Sequence, residues 1–339
     1  MKKLIAAEVF IYAVLIMTAC ATGGASTPAV VQQPSLTPAV IPVPDGLEYE
    51  VVDGRRITIT GYTGNAVTLE IPAQIQGLPV TAVGDWAFAG SILTSITIPS
   101  SVMSIGDYAL YYCSSLTNVT MPSSITSIGE RAFRLCRRLT SITIPSSVTS
   151  IGNEAFSFCS GLTSVTIPSS VTSIGDGAFS YCGSLTSVTI PSSVTSIGDL
   201  AFYLCNSLTN FTVDSRNPSY ASIDGILFDK NIRTIIAYPK GKTARTYTIP
   251  SSVTSIGKNA FHDCSSLTNV TIPSSVTSIG ERAFYYCSNL TSVTIPPSVT
   301  SIGDYAFSNC RSLTSVTLSR RTQVGQEAFP ETARITYRD

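Results

Sequence analysis

Apolar and polar positions along most of this chain follow one pattern, which returns every 23 residues. Leu185, Val188 and Ile190 alternate with polar Ser187 and Thr189, which predicts a short strand with one buried face. Pro191 ends it, because proline has no N–H to give a β ladder. Val194 to Ile197 predicts a second extended piece, and Gly198 a turn into Ala201-Phe202. That pair reads as a single helical or 3₁₀ turn ending at Cys205. In each copy Ile, Ala, Phe, Cys, Leu, Val, Ile and Val face inward. One copy cannot bury enough apolar surface to offset its chain entropy, so neighbouring copies must stack.

Nine such strands begin at Leu93, Leu116, Leu139, Leu162, Leu185, Leu208, Leu267, Leu290 and Leu313. Cysteines keep the same beat at Cys113, Cys136, Cys159, Cys182 and Cys205, then at Cys264, Cys287 and Cys310. The longer step between Cys205 and Cys264 predicts an enlarged repeat over residues 211–249, with Asp229-Lys230-Asn231 as a hairpin loop. Copies at Trp86 and at Val324 lack the cysteine, as terminal repeats of a capped solenoid do. The predicted order is a β-rich N-terminal cap over residues 47–82 and a solenoid over 83–339.

The motif Leu-x-x-Val-x-Ile-Pro-x-x-Val-x-x-Ile-Gly-x-x-Ala-Phe-x-x-Cys, as in Leu162 to Cys182, resembles the treponemal-type, or BspA-like, leucine-rich repeats. Asn217-Pro-Ser-Tyr220 and Asp224 to Phe228 also resemble a module of that family. The resemblance spans residues 47–337 and implies an α/β repeat fold, a right-handed curved solenoid with a parallel β-sheet on its concave face. It also implies a secreted or surface-anchored protein of a host-associated bacterium, in a family where several members are considered adhesins.

The N-terminus fits that setting. Lys2 and Lys3 precede an apolar run from Leu4 to Met17, too short for a membrane span, and Thr18-Ala19-Cys20 follows. The segment resembles a lipoprotein signal with Cys20 as the lipidated residue, although Met17 and Glu8 depart from the usual pattern. Residues 21–46 carry Pro28, Pro34, Pro38, Pro42 and Pro44 and read as an extended tether. Together these predict export and a lipid anchor in the outer membrane, with the repeats at the cell surface.

Basic and acidic residues balance at 21 each and charged residues make up 12% of the chain, half the usual share of roughly 25%. No basic field is available for nucleic acid. The single histidine, His262, leaves acid–base and zinc chemistry short of material, so the chain reads as non-enzymatic and without cofactors.

The cysteine ladder reads first as buried free thiols, with disulfides between neighbours and metal binding as open alternatives. Thr120, Thr143, Thr166, Thr189, Thr271 and Thr294 form a candidate binding face on the exposed side of the strands. Trp86, Tyr108, Tyr111, Tyr203, Tyr285 and Tyr305 form a candidate aromatic stripe. In the pair before each cysteine, the second residue is expected to be half-buried and the first exposed. Asp214, Asn217, Asp224 and Asp229 fit turn chemistry better than a calcium loop. The expected partner is a host or bacterial surface protein or glycan; an envelope scaffold is the alternative function.

Overall fold

The computed structural model describes residues 42–338; Cys20, the apolar run before it and the tether up to residue 41 lie outside the described residues. Two columns of parallel strands run through the described part. The first contains the Leu-x-x-Val strands, for example Ser141–Thr143 beside Ser164–Thr166 with Thr143 opposite Thr166. The second is built of two-residue strands such as Ser150–Ile151 beside Ser173–Ile174. Register holds from copy to copy, so like side chains stand above like.

The first column holds twelve strands among the described residues, not the expected nine. The additional three are Thr68–Glu70, Thr246–Thr248 and Arg334–Arg338, which pair in register with Ser95–Thr97, Asn269–Thr271 and Ser315–Ser319. In them Ala66, Ala244 and Thr332 occupy the place of the opening leucine, so a count of leucines passes over them. The N-terminal cap is correspondingly shorter: an antiparallel hairpin of Leu47–Val52 and Arg56–Tyr62, whose second strand pairs in parallel with Leu78–Val83.

The expected α component is absent among the described residues: no Ala-Phe segment forms a helix. The segment is instead a ribbon of consecutive β-turns whose N–H groups alternate between two uses. Ala132, Arg134 and Cys136 donate back three residues to Gly129, Arg131 and Phe133. Arg131, Phe133 and Leu135 donate forward to Asn153, Ala155 and Ser157 of the next copy at 2.8–2.9 Å. A helix would direct every N–H along its own chain; the ribbon gives half of them to the stack. It requires positive φ at two residues per copy, 54° at Arg131 and 68° at Leu135, the third residue of each type II turn. That conformation costs a non-glycine residue roughly 1–2 kcal/mol, offset here by the inter-copy bonds.

Gly152 shows how closely the copies approach. A Cβ there would meet the Gly129 carbonyl carbon and oxygen at 2.7 Å. The Ile-Gly step is therefore fixed by contact with the neighbouring backbone.

Inside, Phe133, Phe156 and Phe179 stack with ring centroids 5.2 and 5.3 Å apart and planes 8° from parallel. The eight cysteines between Cys113 and Cys310 are buried free thiols. Seven of them donate to the carbonyl of the preceding copy's Phe or Leu at 3.0–3.3 Å, as Cys159 does to Phe133. Burial pushes the thiols of Cys113, Cys136, Cys159, Cys182, Cys205, Cys264 and Cys287 up, that of Cys205 to about 12. Under native conditions these eight sulfurs are expected to resist alkylation and to react together on unfolding; a count of labelled thiols by intact mass checks this.

The enlarged repeat interrupts the stack. It forms two antiparallel pairings: Tyr220–Ile223 with Ile226–Asp229, and that strand with Thr234–Ala237. The first turns at Asp224-Gly225, both at positive φ (50° and 77°), a hairpin signal in addition to the expected loop after Asp229. The core divides here: Leu227 packs with the N-terminal part, while Ile226 and Phe228 pack with the C-terminal part. One strand, with side chains alternating across its two faces, thus separates two cores.

Candidate functional site

Threonines on the solenoid fall into two kinds. Thr117, Thr163, Thr186 and Thr209 donate their hydroxyls to a backbone carbonyl of the preceding copy at 2.9–3.4 Å, and Thr126, Thr172 and Thr195 do so beside the second strand column at 3.2–3.4 Å. These serve the stack. Thr120, Thr143, Thr166, Thr189, Thr271 and Thr294 are exposed and make no such bond, so their hydroxyls face solvent in rows. The face they form is regular and polar.

The lateral edge formed by the turn ribbons is chemically more varied. Because the residues at positive φ stand above one another, their side chains form a ladder. Trp86 stacks on Tyr108 with centroids 4.1 Å apart and planes 8° from parallel. Tyr111 meets them edge-on or tilted at 5.6 and 5.7 Å, and Tyr112 lies 6.5 Å from Tyr111. Trp86 remains 53% exposed and Tyr112 50%, so the cluster is a platform open to solvent.

The next rung is charged. The Arg131 guanidinium lies 5.4 Å from the centre of the Tyr108 ring and hydrogen-bonds its hydroxyl. Arg131 also meets Glu154 at 2.7 Å, and Arg134 meets the second Glu154 oxygen. The hydrogen bond from Arg131 and the charge of both arginines hold the Glu154 carboxyl below its ordinary range. Beyond Glu154 the column reaches Gly177, which has no side chain to continue it. A groove of about 570 Å³ opens there, walled by Arg134, Glu154, Phe158, Tyr181, Leu200 and Tyr203.

The aromatic stripe read from the sequence is therefore three groups. Trp86, Tyr108 and Tyr111 come together. Tyr203 lies between Tyr181 and His262, at 5.3 and 4.7 Å, and Tyr285 lies 5.1 Å beyond His262. Tyr305 stands apart with Arg282 5.4 Å over its ring. The expected burial within the pair before each cysteine is reversed at several copies: Ser157 and Ser180 are buried while Tyr112 and Tyr286 are exposed. The second residue takes positive φ, which turns its side chain out along the ladder.

His262 and Asp263 do not form a proton-transfer pair. Burial lowers the imidazole pKa to about 4, against the pull of Asp263, so His262 is neutral near pH 7. Asp263 pairs with Lys240. The polar residues of the enlarged repeat act locally. Asp229 accepts from the Arg233 N–H at 2.7 Å, and Asp214 pairs with Arg216 at 2.8 Å. Asn217, fully buried, donates to the Pro191 and Val194 carbonyls at 2.7 and 2.9 Å and accepts from Ser219 and Tyr220 at 2.8 Å. Its central role was not read from the sequence, where one Asn-Pro-Ser-Tyr segment carries little signal.

A stack of parallel β copies with a varied lateral edge and a regular polar face defines a repeat protein of the recognition class. The chain belongs to the family with the BspA type leucine rich repeat region, whose model matches in six copies over residues 81–209, 126–244 and 237–338. Among solved structures it is similar to a leucine rich cell surface protein from Faecalibacterium prausnitzii A2-165, at 31% identity over 88% of this chain and 94% of that one, with TM-score 0.66. It is also similar to a leucine-rich repeat protein from Eubacterium ventriosum, at 26% identity over 83% of this chain and 72% of that one, with TM-score 0.55. The pneumococcal vaccine antigen PcpA shares the fold at 24% identity over 88% of this chain and 87% of that one, with TM-score 0.72. No curated protein matches the sequence.

Proposed function

We propose that this chain is an exported, non-enzymatic adhesin, anchored to the outer membrane through lipidated Cys20, that binds a surface protein of a host or a neighbouring bacterium through its lateral ladder. The observation that carries this reading is the Trp86–Tyr108–Tyr111 platform, with Trp86 exposed on half-buried Tyr108 and Tyr111, continuous with Arg131 and Arg134. Trp, Tyr and Arg are the residue types that dominate binding energy at protein interfaces. The platform is also largely pre-organised, since Trp86 and Tyr108 are stacked on each other and Tyr108 bears Arg131, so little side-chain entropy remains to be lost on binding. The cell-surface relative from F. prausnitzii supports the location, and the Thr face offers a wide but chemically uniform second surface.

Trp86→Ala combined with Tyr108→Ala is expected to weaken attachment to a bound partner by at least about thirtyfold, the loss of one hot spot of roughly 2 kcal/mol or more. The same change is expected to lower the unfolding midpoint only modestly, because Trp86 is exposed and Tyr108 is half-buried. A panel of immobilised matrix proteins, partner cells and glycans, each tested with both forms, checks this. Binding that survives the double substitution but falls when Thr143, Thr166 and Thr189 are changed to bulky lysines would move the site to the β face.

A further inference from the structure

The repeat ending at Cys205 is followed in the ribbon column by a gap. In the copy before it, the N–H groups of Gly177, Phe179 and Tyr181 donate to the carbonyls of Asp199, Ala201 and Tyr203 at 2.7–2.9 Å. Among the described residues, the corresponding donors of the next copy, Leu200, Phe202 and Leu204, have no backbone partner, because the enlarged repeat places no ribbon against them. Phe202 and Ile197 are only half-buried, although their equivalents Phe179 and Ile174 are buried. Phe202 thus resembles Phe329 at the C-terminal end, also half-buried. Inside the molecule the solenoid has an open end.

That end faces a cavity of about 130 Å³. Its walls include Phe202, Leu204, Leu208, Leu227, Ile236 and Ala237. This is close to the size of an apolar cavity, roughly 150 Å³, that admits a benzene ring. The charges at its rim are neutralised within the chain: Lys240 by Asp263, and Lys258 by Asp199 at 3.4 Å and Glu281 at 3.2 Å. Nothing there calls for a charged ligand.

We propose that this seam is a second binding site, for an uncharged polypeptide segment of a partner protein that supplies backbone carbonyls at alternate residues and one apolar side chain. The carbonyls complete the three bonds that Leu200, Phe202 and Leu204 leave open, as a strand added to a sheet edge does. The side chain fills the cavity. The site is separate from the lateral platform at Trp86 and does not depend on it.

The probe is a blocked, uncharged peptide of the sequence Asn-Gly-Ala-Phe-Ser-Tyr, that of residues 176–181 with asparagine in place of the aspartate, because the Asp176, Ala178 and Ser180 carbonyls already accept such bonds from Glu154, Phe156 and Phe158. Amide exchange, resolved to single residues, is followed on the full-length protein. Without peptide, the Leu200, Phe202 and Leu204 amides are expected to exchange at least about a hundredfold faster than those of Gly177, Phe179 and Tyr181. Millimolar peptide is expected to slow them by about tenfold or more, while a peptide with Ser in place of its Phe does not. Ala237→Phe, which fills the cavity, is expected to abolish the effect, and Trp86→Ala to leave it unchanged. Strong protection of the three amides in the free protein, or no slowing by the Phe peptide, overturns the proposal; the Ser peptide supplies the control if Ala237→Phe fails to fold.

Discussion

Asn217→Ala is expected to destabilise the protein by about 3–5 kcal/mol, measured as a fall in the urea unfolding midpoint. The side chain is fully buried and makes four hydrogen bonds, to the carbonyls of Pro191 and Val194 and from the amides of Ser219 and Tyr220. Alanine removes all four bonds at once and leaves the Val194 carbonyl, at the buried one of them, without its partner. The position also matters. Asn217 ties the copy that opens at Leu185 to the enlarged repeat, where the hydrophobic core divides in two. In a solenoid, stability is a sum of copy and neighbour terms, so loss of one neighbour term is expected to separate the unfolding of the two parts into distinct steps. Asn217→Asp keeps the acceptor oxygen for Ser219 and Tyr220 but sets a carboxylate oxygen against the Pro191 and Val194 carbonyls in a buried site, and is expected to cost at least as much as alanine near pH 7. A loss below about 1 kcal/mol for the alanine variant, within the ordinary range of a single hydrogen bond, contradicts this role.

Phe156→Ala is the second large effect, expected at about 3–5 kcal/mol. Phe156 is buried between Phe133 and Phe179, with centroids 5.2 and 5.3 Å away, so its removal leaves a void between two rings held by neighbouring copies. The backbone bonds from Phe156 to Ala178 and from Phe133 to Ala155 fix the spacing and limit collapse into that void. Leu110 stands in the equivalent place of an earlier copy and is buried there. Phe156→Leu is therefore expected to cost no more than about 1.5 kcal/mol. Equal urea midpoints for the alanine variant and the wild type would show that the stack is not what holds adjacent copies together.

What the sequence discloses and what it conceals have separate physical causes. Leu162, Val165 and Ile167 announce a strand because alternate burial is local and repeats. Thr246–Thr248 and Arg334–Arg338 escape notice, and the strand at Thr68–Glu70 reads as part of the cap, because Ala66, Ala244 and Thr332 replace the leucine, while backbone pairing with the neighbouring strand still sets the register. The ribbon around Ala132-Phe133 reads as a helical turn because both have closely spaced apolar residues. The choice between them depends on where alternate N–H groups find acceptors, and those acceptors, Asn153, Ala155 and Ser157, are in another copy. Asp224-Gly225 was a visible hairpin signal that the apolar run around it obscured. At the lateral site, Trp86, Tyr108 and Tyr111 could be picked out as aromatics, but their convergence depends on positive φ at Trp86 and Tyr108, which no residue type there demands. The gap at Phe202 is a property of the interrupted stack and has no motif of its own.

The solenoid is expected to act outside the cell. Intact cells are treated with a protease that cannot cross the outer membrane, then probed with an antibody against the repeats, with a periplasmic protein as the control for cell integrity. Loss of the repeat signal while the periplasmic control stays whole is the expected result. Full protection of the repeats in intact cells, with digestion only after the outer membrane is opened, would contradict the account and place the solenoid in the periplasm.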